Sequence, residues 1–561
     1  MSHPDDLAAR FALAVQHHQA GHLAEAERLY RAVLAAEPNH AGALNLLGVI
    51  AAQSGHGDAA VALIGRAIQL DGDNAGYHVN LGLAEQGRGR EDVAAACYRR
   101  ALDLEPGNAD AHNNLGILLQ NQGSYDAAAE HFERCLAAQP DHAEALINLS
   151  LAYRNLDRFE DAVRCGEQAL ALRPTSADAL NNIGIALENL DRLAEAAARF
   201  RAAITLRPGY AEAMNNLGMT LRRAGDIEAA QAQFAETIAV HPDFPEAQLN
   251  YAISLLMRGE YRAGWQAYEW RWFPRGGEKY RRPFEMPRWD GGEARGRTIF
   301  VWAEQGLGDS VQFCRFAPLL AARGWTMVIE AYPPLVRLFR SLRGIDAVVE
   351  YGMACPQADV HCPLMSLPHH LGIELGHASR NIPYLTVAPS DAAAWSTRMG
   401  LRSDLLRVGL VWAGRVYNRP LSADDDHRRS IALDRLAPIL AVEGVQFVSL
   451  QQECRPGEDP ARYGMLDPMG EVRDFADTAA IVAALDLVIA VDTSVVHLAG
   501  ALGKPVWLLN RFDSCWRWLR GRDDSPWYPA LRQFRQRSLG DWDGAVAAAA
   551  AALAELVAGR S

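Results

Sequence analysis

From residue 7 to about 244, small and apolar positions return every 34 residues. Alanines stand at Ala26, Ala60, Ala94, Ala128, Ala162, Ala196 and Ala230, and small residues at Gly48, Gly82, Gly116, Ser150, Gly184 and Gly218. Prolines recur at Pro38, Pro106, Pro140, Pro174, Pro208 and Pro242, with Gly72 in the missing place. Small residues let two antiparallel helices approach closely, and the proline ends the second helix before the next unit begins. The pattern predicts helix pairs stacked as a solenoid. An eighth unit begins at Pro245 and departs from the pattern after Arg258; its second helix carries Trp265, Tyr268, Trp270, Trp272 and Phe273. A terminal repeat facing water would be polar. These aromatics predict either a cap buried against the second half of the chain or the ordinary core of an aromatic helix.

Beyond residue 297 the pattern changes to short apolar runs separated by helical stretches, which read as buried parallel strands. A first set comprises Ile299 to Trp302, TMVIEA, DAVVEY and DVHCPL; a second comprises VGLVWAGR, QFVSL, LDLVIAV and VWLL. The predicted organisation is a solenoid over 1–278, a linker rich in Arg, Pro and Gly over 279–297, and α/β lobes over 298–390 and 405–561. The alanine-rich stretch Trp542 to Ala558 is predicted as a closing helix. Two successive lobes place the expected active site in the cleft between them.

At 561 residues the chain exceeds what one core supports. Its net charge of -13 argues against nucleic acid or an anionic membrane as partner, because phosphate affinity comes from Lys and Arg. No apolar run reaches the ~18 to 20 residues of a membrane span, and MSHPDDLAARF lacks the regions of a signal peptide, so a cytoplasmic location is expected. Eight cysteines without a CxxC pair suit a reducing compartment. The spacing of Cys355, His361, Cys362, His369 and His370 matches no structural zinc pattern, and no metal is expected there.

The 34-residue period is that of the tetratricopeptide repeat (TPR). In the first helix of successive units an asparagine recurs at Asn80, Asn114, Asn148, Asn182, Asn216 and Asn250, which would form a row along the concave groove. An amide side chain can pair with both groups of a peptide bond; asparagine is also simply common at this position of the repeat. The row resembles the asparagine ladder of the protein O-GlcNAc transferases, which implies a protein acceptor held by its backbone at ~1 kcal/mol per contact.

The stretch VDTSVVHLAGALGKPVWLLN, Val491 to Asn510, reads as the end of a strand, a polar turn and a helix N-terminus, an arrangement that can hold an anion. It resembles the Asp-Thr-Gly-x-x-His-Leu segment of bacterial lipopolysaccharide heptosyltransferases, a GT-B family with two Rossmann-like lobes. The resemblance implies that Asp492, Thr493, Ser494 and His497 bind the diphosphate and sugar of a donor. Ser494 replaces the family's glycine and narrows the site. Gly308 and Asp309 resemble the family's N-terminal Gly-Asp, whose aspartate acts as base; a helix N-cap is the other role open to Asp309, and a capping carboxylate is a poorer base. In HRRSIAL, Arg429 takes the place of the family's donor-binding lysine. Glu453, after QFVSL, is expected near a ribose by position. Asp424, Asp425 and Asp426 read as a solvated loop.

The expected fold is therefore a TPR superhelix followed by a GT-B α/β fold. The expected function is metal-independent, inverting transfer of a sugar from a nucleotide-sugar substrate to a protein recruited by the repeats, without a cofactor. Asp309 and His497 are the expected catalytic residues. The whole chain also resembles TPR-bearing bacterial transferases that modify flagellin, which implies a flagellin-like Ser/Thr acceptor. The alternatives are a TPR scaffold with an inactive transferase-like domain, fed by Ser494 and the missing lysine, and an enzyme acting on a lipid-linked or polysaccharide acceptor.

Overall fold

The computed structural model describes residues 4–273, 282–414 and 428–560. The chain divides into two compact units, Met1–Asn216 and Leu217–Ser561, with the boundary inside the helix Ala211–Ala224.

The first unit consists of antiparallel helix pairs, from Pro4–Gln19 with Leu23–Ala36 to Ala177–Asn189 with Leu193–Leu206. Several first helices start on a side-chain cap: His40, Asn108, His142 and Ser176 each accept the amide three residues on, at 3.1, 2.9, 3.1 and 3.2 Å. The recurring small residue has a specific opponent. A Cβ at Gly82, Gly116 or Gly184 would lie 2.4, 2.6 and 2.6 Å from the ring of Tyr98, Phe132 or Phe200, the residue sixteen places later in the facing helix. Where Ser150 replaces the glycine, position 166 is itself glycine, and the Ser150 hydroxyl donates to the Ala162 carbonyl at 2.7 Å. The exchange preserves the close approach with the sizes reversed. Gly116→Val should accordingly cost about 1 to 3 kcal/mol by overpacking Phe132. Urea unfolding measures it, and an unchanged midpoint would mean that the ring yields without cost.

The second unit opens with repeat helices, including Ile227–Val240, Pro245–Met257 and Tyr261–Tyr268, and continues into two parallel sheets. The first sheet contains β1 (Thr298–Trp302), β2 (Thr326–Ala331), β3 (Ala347–Glu350) and β4 (Val360–Pro363), in the order β3-β2-β1-β4. The second contains β5 (Leu406–Val411), β6 (Val445–Ser449), β7 (Leu487–Val491), β8 (Val506–Asn510) and β9 (Leu531–Arg535), in the order β6-β5-β7-β8-β9. In the first sheet Ile299 lies opposite Met327 on one side and Val360 on the other. β1, β7 and β8 are buried along almost their whole length, as strands covered on both faces must be. The helix Pro389–Arg398 occupies the seam expected between the lobes and packs on Phe475–Ala484, downstream of β6.

The aromatic end of the last repeat is inside this unit. Trp265, 1% exposed, meets Phe313 and Trp516 edge-on at 5.6 and 5.1 Å, and Tyr261 stacks on Trp527 at 5.5 Å. Tyr268 and Trp272 are also buried, whereas Trp270 is half-buried and Phe273 is exposed. The side chain of Arg271 is enclosed with them. Its Nε and Nη2 donate to the two oxygens of Glu304 at 2.9 Å each, its Nη1 to Glu269 at 2.8 Å and its Nη2 to the Ser366 hydroxyl at 2.7 Å. Apolar surface and a paired charge thus join the repeats to the end of β1. Among the described residues no helix is long and apolar enough to cross a membrane.

Candidate functional site

Beyond β1 the chain turns sharply into the helix Leu307–Phe313. Gln305 adopts φ +61°, the left-handed region that costs a non-glycine residue free energy. The turn is held by the Tyr332 hydroxyl, which donates to the Gln305 carbonyl at 2.8 Å, and by Gln305 Nε2 donating to the Tyr268 hydroxyl at 3.2 Å. Asp309 closes the turn: its Oδ2 accepts the Gly306 amide at 2.9 Å. Its Oδ1 is ion-paired with Arg517, 208 residues downstream. Both oxygens are therefore engaged; the helix N-cap is Gly306 and not Asp309, which lies at the third helical position and reaches back to the Gly306 amide. To act as a base it must first give up a partner.

Beyond β7, Asp492 and Thr493 lead into the helix Ser494–Ala501. This turn meets the first one directly. A Cβ on Gly308 would lie 3.1 Å from His497 Cδ2 and 3.4 Å from Ser494 Cα, so any side chain there would press on the His497 ring. Each turn also follows a strand beside the place where its sheet reverses order, between β1 and β4 and between β5 and β7. Ligands of parallel α/β sheets bind at such points. Thr493 precedes the helix without a side-chain capping bond, and its Oγ1 is buried with no hydrogen-bond partner among the described residues.

His497 is enclosed at this junction. It is 4% exposed, stacked on Trp518 at 5.4 Å, and its Nδ1 lies 2.9 Å from the Tyr528 hydroxyl. Burial, reinforced by the Arg517 charge, lowers its pKa to about 3. At neutral pH it is an uncharged imidazole that seats Gly308. It can hydrogen-bond but carries no positive charge.

Positive charge comes from arginines. Arg429 Nη1 donates to the Asp492 carbonyl at 3.4 Å, which places it at the end of β7. Arg511, Arg428 and Arg223 lie 3.4, 3.8 and 3.9 Å from the carboxylate of Asp513. Arg517 Nε donates to Gln312 Oε1 at 2.6 Å, and its guanidinium lies 4.3 Å over the Trp516 ring. The adjoining Cys515 Sγ is 3.4 Å from Asp492 Oδ2. Sequence reasoning assigned nothing to Arg511, Asp513 or Arg517. The available signal was RFDSCWRWLRGR, a cation-rich connection between two buried strands. In that segment Arg520 donates to the carbonyls of Gly225 and Phe512 at 2.9 and 2.6 Å, Arg522 pairs with Asp524 at the surface, and Trp527 is core.

Glu453 follows β6 and is exposed; its carbonyl accepts Gln451 Nε2 at 3.0 Å. Asp424, Asp425 and Asp426 lie outside the described residues, as does part of the expected linker. Among the described residues no group of three or more His, Cys, Asp or Glu is arranged to hold a metal ion. Cys355 is exposed, Cys362 is buried, and His361 accepts Trp302 Nε1 at 3.1 Å.

The six asparagines of the repeats are all half-buried, and several are already bonded. Asn80, Asn148 and Asn216 donate to Asn45, Asn113 and Asn181 at 3.1, 3.3 and 3.1 Å. Asn182 and Asn250 accept from Arg154 and Arg222 of the preceding first helix at 3.2 and 3.0 Å. A second, deeper asparagine row, Asn45, Asn113, Asn181 and Asn215, lies beside it, and the first three of these accept from the outer one.

Comparison with known proteins identifies tetratricopeptide repeats over residues 17–81, 88–123, 108–175, 147–211 and 215–269. The N-terminal half of the chain is a TPR array. A curated relative, Protein FlbA of Caulobacter vibrioides (strain ATCC 19089 / CIP 103742 / CB 15), is 28% identical over 331 residues, 53% of this chain and 52% of that protein. The chain thus spans about half the length of the relative it matches. Among solved structures, YrrB, described as a TPR protein with an unusual peptide-binding site, is 25% identical, with 33% of this chain and 95% of that one covered and a TM-score of 0.31. Pseudomonas aeruginosa pilF is 20% identical, with 37% and 95% covered and a TM-score of 0.34.

Proposed function

We propose that the chain is a glycosyltransferase of GT-B type that moves a sugar from a nucleotide-activated donor to a hydroxyl of a protein held by its repeats. The observation that carries this reading is the meeting of two strand-to-helix turns at Gly308 and Ser494, with Arg517 and Arg429 beside them. One turn brings a carboxylate, the other a helix N-terminus, and the arginines supply charge where a phosphate would depart. The acceptor oxygen attacks the anomeric carbon and inverts it. The bond from that carbon to the phosphate oxygen breaks with its electrons staying on the nucleotide, and the hydroxyl proton passes to Asp309. Arg429, the amides at Thr493 and Ser494, and a neutral His497 N–H support the leaving phosphate. The asparagine rows and the tetratricopeptide repeats that carry them suit a polypeptide acceptor. A flagellin-like Ser/Thr protein is the proposed acceptor, and no cofactor takes part.

A second reading, a TPR scaffold whose α/β half does not catalyse, is favoured by one observation: both oxygens of Asp309 are engaged. The intact mass of proteins captured by the full-length chain separates the two. Captured proteins should carry a sugar-sized increment when the wild type is present and lack it when Asp309→Asn replaces it. Equal masses in both would select the scaffold.

A further inference from the structure

We infer that Arg517 is shared between Asp309 and the donor's phosphate, so that the arriving nucleotide takes Arg517 and thereby releases Asp309 to act as base. The inference rests on the transferase reading and specifies how its base is switched on. Arg517 Nη2 is bound to Asp309 Oδ1 and its Nε to Gln312 Oε1 at 2.6 Å. The arginine side chain is 13% exposed and that of Asp309 20%, so one edge of the pair reaches solvent.

Two further atoms at this junction are unfulfilled among the described residues. Gln312 is fully buried, its Oε1 is taken by Arg517, and its Nε2 has no partner; Thr493 Oγ1, across the junction, has none either. Buried polar atoms without partners are rare and call for a cause. A phosphate entering between the turns would offer acceptors to both the Gln312 amide and the Thr493 hydroxyl. A guanidinium pairs with phosphate at least as well as with a carboxylate. The geometry therefore holds Asp309 inactive until the donor is in place.

The test is calorimetric titration of the full-length protein with UDP, GDP, CDP, ADP, dTDP and CMP. Whichever nucleotide the wild type binds should bind Asp309→Asn roughly 10-fold more tightly, since the competitor for Arg517 has lost its charge. It should bind Arg517→Gln at least ~30-fold more weakly, with Arg517→Lys in between. Thermal melting confirms folding; should Arg517→Gln fail to fold, Asp309→Asn and Arg517→Lys still decide the matter. Asp492→Asn removes the same charge from a carboxylate of the same site that is not bonded to Arg517. If it tightens binding as much as Asp309→Asn does, simple charge removal explains the effect and the competition is overturned. Unchanged affinity in Asp309→Asn would likewise make the ion pair a fixed strut, leaving the transferase reading intact. Absence of binding by any nucleotide to wild type and Asp309→Asn alike would overturn the transferase reading itself, and the inference with it.

Discussion

Sugar transfer by Asp309→Asn should be slower than wild type by about 10²- to 10⁴-fold in initial-rate measurements. The substitution is nearly isosteric. The amide oxygen still accepts the Gly306 amide that Asp309 accepts at 2.9 Å, so the helix Leu307–Phe313 should start as before. What disappears is the proton acceptor. Tighter nucleotide binding combined with lower turnover would separate this loss from damage to the fold, because a distorted cleft weakens both. Glu304 is a poor substitute base: it is 2% exposed, and its oxygens accept from Arg271 and from the Met365 amide at 2.9 Å. Unchanged turnover in Asp309→Asn would remove Asp309 from the mechanism.

Arg271→Met should destabilise the second unit by about 3 to 5 kcal/mol in urea unfolding, among the larger effects a single substitution has. The guanidinium is buried against Glu304, Glu269, Ser366 and the Tyr268 carbonyl. Burial alone would lower its pKa, but Glu304 and Glu269 outweigh that and raise it above the usual arginine value. In the variant Glu304 remains buried without its partner. Arg271→Met combined with Glu304→Gln should recover much of the loss. No recovery in the double variant would mean that packing around Arg271 and not its charge sets the effect.

The repeats were legible because each is specified locally, by a small residue, an alanine and a proline or glycine that return at a fixed 34-residue step. The parallel strands were legible as apolar runs: the expected Ile299 to Trp302 is Thr298–Trp302, and VWLL is Val506–Asn510. The closing helix Trp542–Ala558 has the bounds expected of it. β9 was missed because it is an edge strand, LRQFR, with β8 as its one neighbouring strand among the described residues, and its two arginines and glutamine mask the apolar signal. The turns at Asp309 and Thr493 were found from their own residues, but their meeting at Gly308 was not. The pair formed by Asp309 and Arg517 joins positions 208 apart, and that formed by Arg271 and Glu304 joins positions 33 apart. Nothing in the local pattern distinguishes a charge that will be buried from one that will be solvated, and for the same reason the enclosure that keeps His497 neutral was not visible in its sequence neighbours.

The enclosure of Tyr261, Trp265 and Trp272 sets where this protein can be cut. A fragment beginning at the first strand would bare Phe313, Trp516 and Trp527, three rings that Trp265 covers, and such a patch drives association. It would also strand Glu304 without its arginine. A fragment of the α/β half meant for expression should instead start in the turn before Ala211, at the head of the helix that crosses the unit boundary. In physical terms, the α/β half begins two repeats before its first strand.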